Sequence, residues 1–174
     1  MALKIAINGF GRIGRSVTRV IAEREDVELV AINDMASMEM MLYLLQNDSV
    51  HGPFAGEAAV IDADHLLIGG KRVRVFGEKD PEKLDFAALG AEVVFECSGL
   101  FLTGASTRHH LDKGVKKVIL SAPTQDNAIP TYVRGVNEHL YRGEAIISNA
   151  SCTTNCLGPI AKILEETFGI EKGL

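Results

Sequence analysis

The sequence has few cysteines and no long apolar run, and both shortages argue against whole classes of protein. Its 174 residues contain three cysteines, Cys97, Cys152 and Cys156. An odd number of cysteines without a secretory signal argues against a disulfide framework and predicts a reducing compartment, with the cytoplasm as the expected location. Because these cysteines lack C-x-x-C spacing, no zinc or other metal site is predicted.

Membrane and nucleic-acid roles are not expected either. The apolar runs are short, such as the one from Val93 to Phe95, and none is long enough to span a bilayer. Lys4 and Asn8 interrupt the first apolar stretch, which is therefore not a signal peptide. A net charge of −5, from 18 basic and 23 acidic residues, does not provide a basic surface for nucleic acid.

What the sequence does contain is a pattern that alternates between strand and helix. Apolar residues make up 47% of the chain, which is enough for the core of one domain of ordinary size. Leu3–Asn8 and Val27–Asn33 are typical of buried strands, and residues 12–24 between them carry apolar side chains at helical spacing. The same alternation predicts helices at 38–45, 105–113 and 151–167, and strands at 93–97, 117–121 and 145–149.

This alternation predicts an α/β fold with a doubly wound, mostly parallel sheet of the Rossmann type. The first strand–helix–strand unit is short enough that its two strands are expected to be parallel. Three short segments bounded by turns, at 58–61, 66–68 and 72–76, predict an antiparallel excursion at one edge of the sheet.

The first turn carries a dinucleotide-binding fingerprint. Residues Gly9 to Gly14 read G-F-G-R-I-G between a strand and a helix, and Asp34 follows at the end of the second strand. Gly9 permits the tight turn, Gly11 lets a pyrophosphate approach the backbone, and Gly14 lets helix and strand pack closely. Because a carboxylate at Asp34 accepts hydrogen bonds from a ribose diol and repels a 2′-phosphate, NAD is predicted over NADP. A Gly-rich turn with a solvated aspartate is the alternative interpretation.

Cys152 is the candidate nucleophile. The run from Ser148 to Cys156 reads S-N-A-S-C-T-T-N-C, and it places Cys152 between the carboxyl end of the last strand and the first turn of the last helix. Ligands bind at that edge of an open α/β sheet. A helix dipole stabilises a thiolate by about 0.3–1 kcal/mol, and by ~2 kcal/mol at most, whereas a tenfold change in its population requires about 1.4 kcal/mol. A strongly activated thiolate therefore needs a second partner, usually a histidine.

The other thiols and the histidines are interpreted as structural residues without a catalytic role. Cys156, one helical turn after Cys152, is interpreted as a packed thiol, and a buried inert thiol is the alternative interpretation for Cys152 itself. No histidine has a sequence context that nominates it as the partner of the thiol. Each is interpreted as a surface or loop residue: His51, His65, His109, His110 and His139.

Taken together, these segments resemble the phosphorylating glyceraldehyde-3-phosphate dehydrogenases. The resemblance covers the whole chain, and the run from Ser148 to Cys156 is its most specific part. It is also carried by N-G-F-G-R-I-G-R at 8–15, A-I-N-D at 31–34 and D-S-V-H-G at 48–52. The resemblance implies a Rossmann NAD-binding domain at 1–150. It further implies that residues 151–174 form the catalytic-cysteine helix, which leads into a substrate domain absent from this sequence.

The family's functional positions map onto this sequence residue by residue. Cys152 is implied as the nucleophile, and Ser151 and Thr153 as contacts for the substrate or inorganic phosphate. The implied cofactor contacts are the glycines of the fingerprint, the residues among them along the pyrophosphate (Phe10, Arg12 and Ile13), Asp34 at the adenosine ribose, Lys79 on the adenine side, and Ser98 and Ser121 along the cofactor. Lys79 stands where the family usually has arginine, so planar stacking by a guanidinium is lost. Ser98 stands where threonine is common, and it keeps the hydroxyl.

The activity implied by the resemblance is a step of glycolysis, carried out by a homotetramer. It is the NAD-dependent oxidation and phosphorylation of glyceraldehyde 3-phosphate to 1,3-bisphosphoglycerate through a thioester on Cys152. The family's catalytic histidine, its phosphate-binding arginine and its C-terminal helix lie beyond Leu174. These 174 residues are therefore expected to be the N-terminal part of a longer enzyme and to be inactive alone.

Two other functions stay open. Erythrose-4-phosphate dehydrogenase shares the fold and the thiol, but that family carries glutamate where this chain has Asp34. A noncatalytic NAD-binding module is the alternative from another class of protein.

Overall fold

The computed structural model describes residues 2–173, which form four α-helices and ten strands. The strands are β1 (Leu3–Asn8), β2 (Val27–Asn33), β3 (Asn47–Asp48), β4 (Gly52–Pro53), β5 (Ala58–Asp62), β6 (His65–Ile68), β7 (Lys71–Phe76), β8 (Val93–Glu96), β9 (Lys117–Leu120) and β10 (Ile146–Ser148). The helices are α1 (Arg12–Ala22), α2 (Met38–Gln46), α3 (Gly104–Asp112) and α4 (Cys152–Phe168). Each helix and strand predicted from the sequence pattern is present, with ends shifted by a few residues.

Eight of the strands form one sheet in the order β10-β9-β8-β1-β2-β7-β6-β5, and β3 pairs with β4 separately. The six strands from β10 to β7 are parallel, and the last two are antiparallel. The predicted fold class is therefore confirmed, including the antiparallel excursion at the edge. The order reverses beside β1, because the chain builds outward to β2 and later returns to place β8 on the other side. In doubly wound sheets, ligands bind at such a reversal, outside the carboxyl ends of the strands.

The central strands are buried on both faces. Ile5 and Ile7 of β1 pack into one apolar cluster with residues of α1 and α2, whereas Ala6 between them packs into a second cluster with Val94 and Phe86. Successive side chains of a strand point to opposite faces, so one strand contributes to both cores. This double burial holds the carboxyl end of β1 in a fixed place at the centre of the sheet.

The three fingerprint glycines are required for different reasons. Gly9 has a φ of +95°, and a Cβ there would lie 2.5 Å from the backbone nitrogen of Ser98. A Cβ on Gly14 would lie less than 3.0 Å from the carbonyl oxygen of Gly9, so this glycine permits the close approach of α1 to the turn. A Cβ on Gly11 would meet no atom of the chain within 4 Å. Protein packing therefore explains Gly9 and Gly14, and it leaves Gly11 beside open space.

Helix α4 differs from the other helices because none of its residues is buried within the described part of the chain. Its apolar stripe is exposed, including Leu157 at 66% and Ile160 at 52%. The helix is held instead on its other side, where Lys162 Nζ donates a hydrogen bond to the Gly135 carbonyl at 2.9 Å. Between residues 2 and 173, no helix combines the length and the apolar character needed to cross a membrane.

The packing of α1 predicts opposite outcomes at two neighbouring glycines. Gly14→Ala is expected to lower the free energy of unfolding by about 1–3 kcal/mol, because the new methyl group overlaps a backbone carbonyl that cannot move away. Gly11→Ala, the matched control, is expected to change it by less than about 0.5 kcal/mol, since its methyl group enters open space. Urea denaturation of both variants is the measurement, and equal losses of stability would contradict this account of the turn.

Candidate functional site

A cleft of about 510 Å³ opens at the reversal of the strand order. Its walls come from the segments that follow four adjacent strands, β7, β2, β1 and β8. The residues that line it are Asn8, Gly9, Gly11, Asn33, Asp34, Met35, Glu78, Lys79, Cys97, Ser98, Leu100 and Phe101. Because parallel strands all end at this edge of the sheet, residues far apart in sequence meet in one cleft.

Asp34 closes one side of the cleft and is bound to the glycine turn. Its Oδ2 accepts a hydrogen bond from the Phe10 backbone N–H at 2.6 Å, and its Oδ1 accepts one from the Ala36 N–H at 2.9 Å. The carboxylate stays partly exposed on the cleft. It therefore holds the turn from β1 against the end of β2 and keeps lone pairs available to a ligand in the cleft.

A series of buried hydrogen bonds links the ends of the same four strands beneath the cleft. Glu78, after β7, bonds through its backbone to Asn33 at the end of β2, and Asn33 Nδ2 donates to Asn8 Oδ1 at the end of β1 at 2.8 Å. Asn8 Nδ2 then donates to Glu96 Oε2 at the end of β8 at 2.6 Å, and the other Glu96 oxygen accepts from Ser98. We refer to Glu78, Asn33, Asn8, Glu96 and Ser98 as the strand-end network. It fixes the spacing of the strands that carry the cleft.

The structure brings together part of the predicted cofactor set. Gly9, Gly11, Asp34, Lys79 and Ser98 line the cleft, and the Ser98 hydroxyl bonds to Glu96. The other predicted residues lie nearby in different surroundings. The side chain of Phe10 is buried in the core, Gly14 packs against the turn, Arg12 lies 3.8 Å from Asp48 in an ion pair, Ile13 is exposed at the start of α1, and Ser121 lies beside the Cys97 thiol.

The buried polar residues at the carboxyl ends of the strands were not predicted from the sequence. Asn8 and Asn33 were interpreted as strand ends, and Glu96 as part of a buried strand, although all three are almost fully buried at 2%, 6% and 1% exposure. Each is a polar residue at the end of a largely apolar strand, and that pattern alone does not show whether the residue is buried. Buried polar side chains are hydrogen-bonded, so three at the same edge indicate a shared network.

Cys152 is presented by a sharp turn between β10 and α4. Ser148, the last residue of β10, donates through Oγ to the Ala122 carbonyl at 2.7 Å and accepts from the Ala150 N–H at 3.0 Å. Ala150 adopts a left-handed φ of 59°, which an alanine takes only at a cost of about 1–2 kcal/mol. Asn155 Nδ2 bonds the carbonyls of Asn149 and Ser151 and so ties the turn to the helix. Strain of this kind, maintained by surrounding bonds, is typical of functional turns.

The predicted substrate residues cap the same helix. Ser151 is the N-cap of α4, and its Oγ accepts a hydrogen bond from the Thr154 N–H at 3.0 Å. The hydroxyl of Thr153 lies 2.8 Å from Ser151 Oγ. Cys152 and Thr153 are exposed at the first turn. The structure thus places a thiol and two hydroxyls at a helix N-terminus, where backbone N–H groups favour negative charge.

The three thiols have different environments. Cys97 is partly buried beside Ser121, and burial raises the pKa of its thiol to about 11. Cys152 and Cys156 are both exposed. The prediction of a packed Cys156 is wrong for this structure, because no residue of α4 is buried within the described range.

The interpretation of every histidine as a surface or loop residue is also wrong for His110. It lies in α3 at 1% exposure, stacked on Phe86 with ring centroids 5.5 Å apart, and its Nε2 is 3.8 Å from Glu96 Oε2. His109 beside it is half-buried, and burial, aided by the neighbouring His110, lowers its pKa to about 4. Within residues 2–173, no hydrogen bond or ion pair joins a histidine to Cys152.

One group of potential metal ligands lies away from the cleft, where β5 turns into β6. Asp62, Asp64 and His65 lie close together there, but Asp62 is paired with Arg72 and Asp64 with Arg74. These ion pairs account for both carboxylates without an ion.

Comparison with known proteins gives consistent matches along the chain. Residues 3–104 match the family model described as glyceraldehyde 3-phosphate dehydrogenase, NAD binding domain, and residues 151–174 match the model of that family's C-terminal domain. Over all 174 residues, the chain is similar to glyceraldehyde-3-phosphate dehydrogenase of Haemophilus influenzae, at 51% identity, and it covers 51% of that protein. It is 49% identical to the Salmonella typhimurium protein of the same name and to glyceraldehyde-3-phosphate dehydrogenase A of Escherichia coli K12, and it covers 52% of each. The chain therefore spans about half the length of the curated relatives it matches.

The environments of the thiols predict an order of reaction with iodoacetamide. At about pH 8, a pKa of about 11 leaves about one Cys97 thiol in a thousand ionised, and the thiolate is the reactive form. Cys152 is exposed at a helix N-terminus and is expected to be labelled well before Cys97, with exposed Cys156 also ahead of Cys97. Brief labelling followed by peptide mapping tests the order. If Cys97 reacts as fast as Cys152, the placement of the thiols is wrong.

Proposed function

Since the chain belongs to the glyceraldehyde-3-phosphate dehydrogenase family, we propose that it forms the NAD-binding domain and the nucleophile of an enzyme that oxidises glyceraldehyde 3-phosphate. The observation that carries the proposal is the open space beside Gly11. A methyl group there would meet no atom of the chain, although Gly9 and Gly14 on either side are tightly packed. A glycine without a packing reason, at the start of a helix and beside a cleft, is what a pyrophosphate group requires.

The residues of the cleft fit NAD in their chemistry. The start of α1 offers backbone N–H groups to the two phosphates, and Asp34 offers carboxylate lone pairs to the adenosine ribose hydroxyls. Lys79 and the apolar side chains of Leu100 and Phe101 lie on the same cleft and provide a surface for the adenine ring. A 2′-phosphate beside Asp34 would bring like charges together, so NAD is favoured over NADP.

Cys152 supplies the covalent chemistry in this proposal. Its thiolate attacks the aldehyde carbon, and the oxygen of the resulting thiohemiacetal lies where N–H groups at the start of α4 stabilise negative charge. When bound, NAD accepts the hydride from that carbon, which leaves a thioester on the sulfur. The oxygen of inorganic phosphate then attacks the thioester carbonyl, the carbon–sulfur bond breaks, and the acyl phosphate product leaves Cys152 as thiolate. Ser151 and Thr153 present hydroxyls to the phosphate beside the thiol.

This chemistry also requires a proton acceptor for the thiohemiacetal hydroxyl. Within residues 2–173 the structure shows no histidine bonded to Cys152, and we propose that the base and the groups that orient the aldehyde phosphate belong to the second half of the family's length. Homotetrameric assembly and inorganic phosphate as the second substrate are part of the same proposal.

Asp34 argues against the nearest alternative. The erythrose-4-phosphate dehydrogenases carry glutamate at this position, and its extra methylene group would change the geometry in which Asp34 accepts the Phe10 N–H at 2.6 Å. A noncatalytic NAD-binding module would not need the strained turn at Ala150 that presents an exposed thiol. The first detail favours glyceraldehyde 3-phosphate over erythrose 4-phosphate as substrate, and the second favours an enzyme over a noncatalytic module.

Cofactor recognition is expected to depend on Asp34. Asp34→Ala removes the acceptor for the ribose and releases the glycine turn, and it is expected to weaken NAD binding by about 10- to 100-fold, as loss of a charge-assisted hydrogen bond does. NADP binding is expected to weaken less, so that the preference for NAD narrows. Glu57→Ala, at an exposed acid away from the cleft, is the matched control for calorimetric titration with both nucleotides. An unchanged ratio of the two affinities in Asp34→Ala would remove this residue from the site.

The polypeptide of 174 residues is expected to show no measurable turnover with NAD, glyceraldehyde 3-phosphate and phosphate. A missing general base costs about 10²–10⁴-fold in rate, and missing groups that orient the aldehyde add to that loss. The assay follows absorbance of NADH, with Cys152→Ser as the background control and an intact relative measured in parallel. Turnover within about tenfold of that relative, abolished in Cys152→Ser, would show that the base lies within these residues.

A further inference from the structure

The groups at the two ends of the strand-end network fix which atom donates and which atom accepts in each of its hydrogen bonds. At one end, the Glu78 backbone N–H donates to Asn33 Oδ1 at 2.9 Å, and the Glu78 carbonyl accepts from Asn33 Nδ2 at 3.0 Å. A backbone N–H cannot accept and a carbonyl cannot donate, so the Asn33 amide has a single orientation. Its Nδ2 then faces Asn8, which must turn Oδ1 toward it and Nδ2 toward Glu96.

At the other end of the network, the partners of residue 96 fix whether its terminal atoms donate or accept hydrogen bonds. The backbone N–H of Ser98 donates to Glu96 Oε1 at 2.9 Å, and the Ser98 hydroxyl also donates there while it accepts from the Leu100 N–H. Residue 96 must therefore accept hydrogen bonds on both of its terminal atoms, from Asn8 on one side and from Ser98 on the other. Only a carboxylate does this, because one terminal atom of glutamine is a donor.

From this geometry we infer that Glu96 is a positioning residue for the cofactor cleft. Its carboxylate accepts from both sides and so orients the amides of Asn8 and Asn33 and the turn at Ser98, which together form the floor of the cleft. The inference rests on the proposed function, since it assigns the cleft to NAD. Glu96 itself is buried beneath the floor and does not line the cleft.

Among the described residues, Asn8 and Ser98 are the hydrogen-bond partners of the Glu96 carboxylate. His110 Nε2 lies 3.8 Å from Glu96 Oε2, which is beyond hydrogen-bond distance. This nitrogen has no hydrogen-bond partner among the described residues. Cys97 adjoins Glu96 in sequence and is partly buried. Without the bonds from Asn8 and Ser98, the carboxylate would be a buried polar group without partners, which costs more than an exposed one.

A pair of substitutions separates the direction of the network from its mere presence. Glu96→Gln places an amide nitrogen against a donor, and Asn8→Asp places two carboxylates together, so each single change breaks one bond. In Asn8→Asp with Glu96→Gln, the carboxylate at position 8 accepts from Asn33 on one side and from the new glutamine on the other, and the glutamine oxygen still accepts from Ser98. Every hydrogen bond is restored with the same total charge.

Calorimetric titration with NAD, on the unsubstituted chain and the three variants, tests the inference. Each single variant is expected to bind NAD about tenfold or more weakly, since each leaves a buried polar group unpaired, and the double variant is expected to recover to within about threefold of the unsubstituted chain. Glu92→Gln is the matched control, because Glu92 precedes the opposite end of β8 and pairs with Lys116. Single variants that bind NAD normally would overturn the inference, as would a double variant no better than the weaker single.

Two further outcomes are also decisive. If the single variants do not fold, a double variant that folds and binds NAD supports the inference, and one that does not fold or folds without binding overturns it. If the unsubstituted chain does not bind NAD, the proposed cofactor fails separately. The exchange of the side-chain amide protons of Asn33, which is present in every variant, is followed by NMR and then decides on the network: protection that is lowered in Glu96→Gln and regained in the double variant supports the role of the carboxylate, and fast exchange in the unsubstituted chain contradicts it.

Discussion

The buried hydrogen bond between Asn8 and Glu96 is the interaction on which the rest of the site depends. It crosses the point where the strand order reverses, and in a doubly wound sheet the ligand crevice lies at this point, outside the carboxyl ends of the strands. Bonds to Asn33 and to the Glu78 backbone extend it across β2 and β7. Because the network holds four strand ends at fixed spacing, the glycine turn and Asp34 meet in one cleft, and the opening beside Gly11 keeps its shape.

The turn that presents Cys152 lies at the same edge of the sheet, but other interactions hold it in place. In the turn after β10, Ala150 adopts a left-handed backbone conformation. Helix α4 then begins with the exposed thiol of Cys152. Ser148 and Asn155 hold that turn through backbone carbonyls, so its strain is supported locally and does not depend on the strand-end network. The cleft and the exposed thiol of Cys152 are thus held by separate sets of hydrogen bonds, and the parallel sheet brings them to one edge.

The order of elements followed from the sequence because the periods of strand and helix are strong and the fingerprint joins three of them. The roles of Gly9 and Gly14 also followed, since they are backbone requirements. The strand-end network could not be predicted in this way. Its hydrogen-bonded pairs are separated by up to 88 residues, and a polar residue that ends a strand has the same local pattern whether it faces solvent or a buried partner. His110 was wrongly predicted because the sequence around a helical histidine does not show which element packs against it. Cys156 was wrongly predicted because an apolar stripe indicates a helix but does not show whether anything covers it.

We propose that the reversal of the strand order, held by Asn8 and Glu96, forms an NAD site around Gly11. A crystal structure of this chain with NAD tests it most directly. In that structure, the pyrophosphate is expected to lie over Gly11 at the start of α1 and the adenosine ribose within hydrogen-bond distance of Asp34. The bond from Asn8 to Glu96 is expected to be retained. NAD bound elsewhere on the chain, or a cleft in which Asn8 has turned away from Glu96, would contradict it.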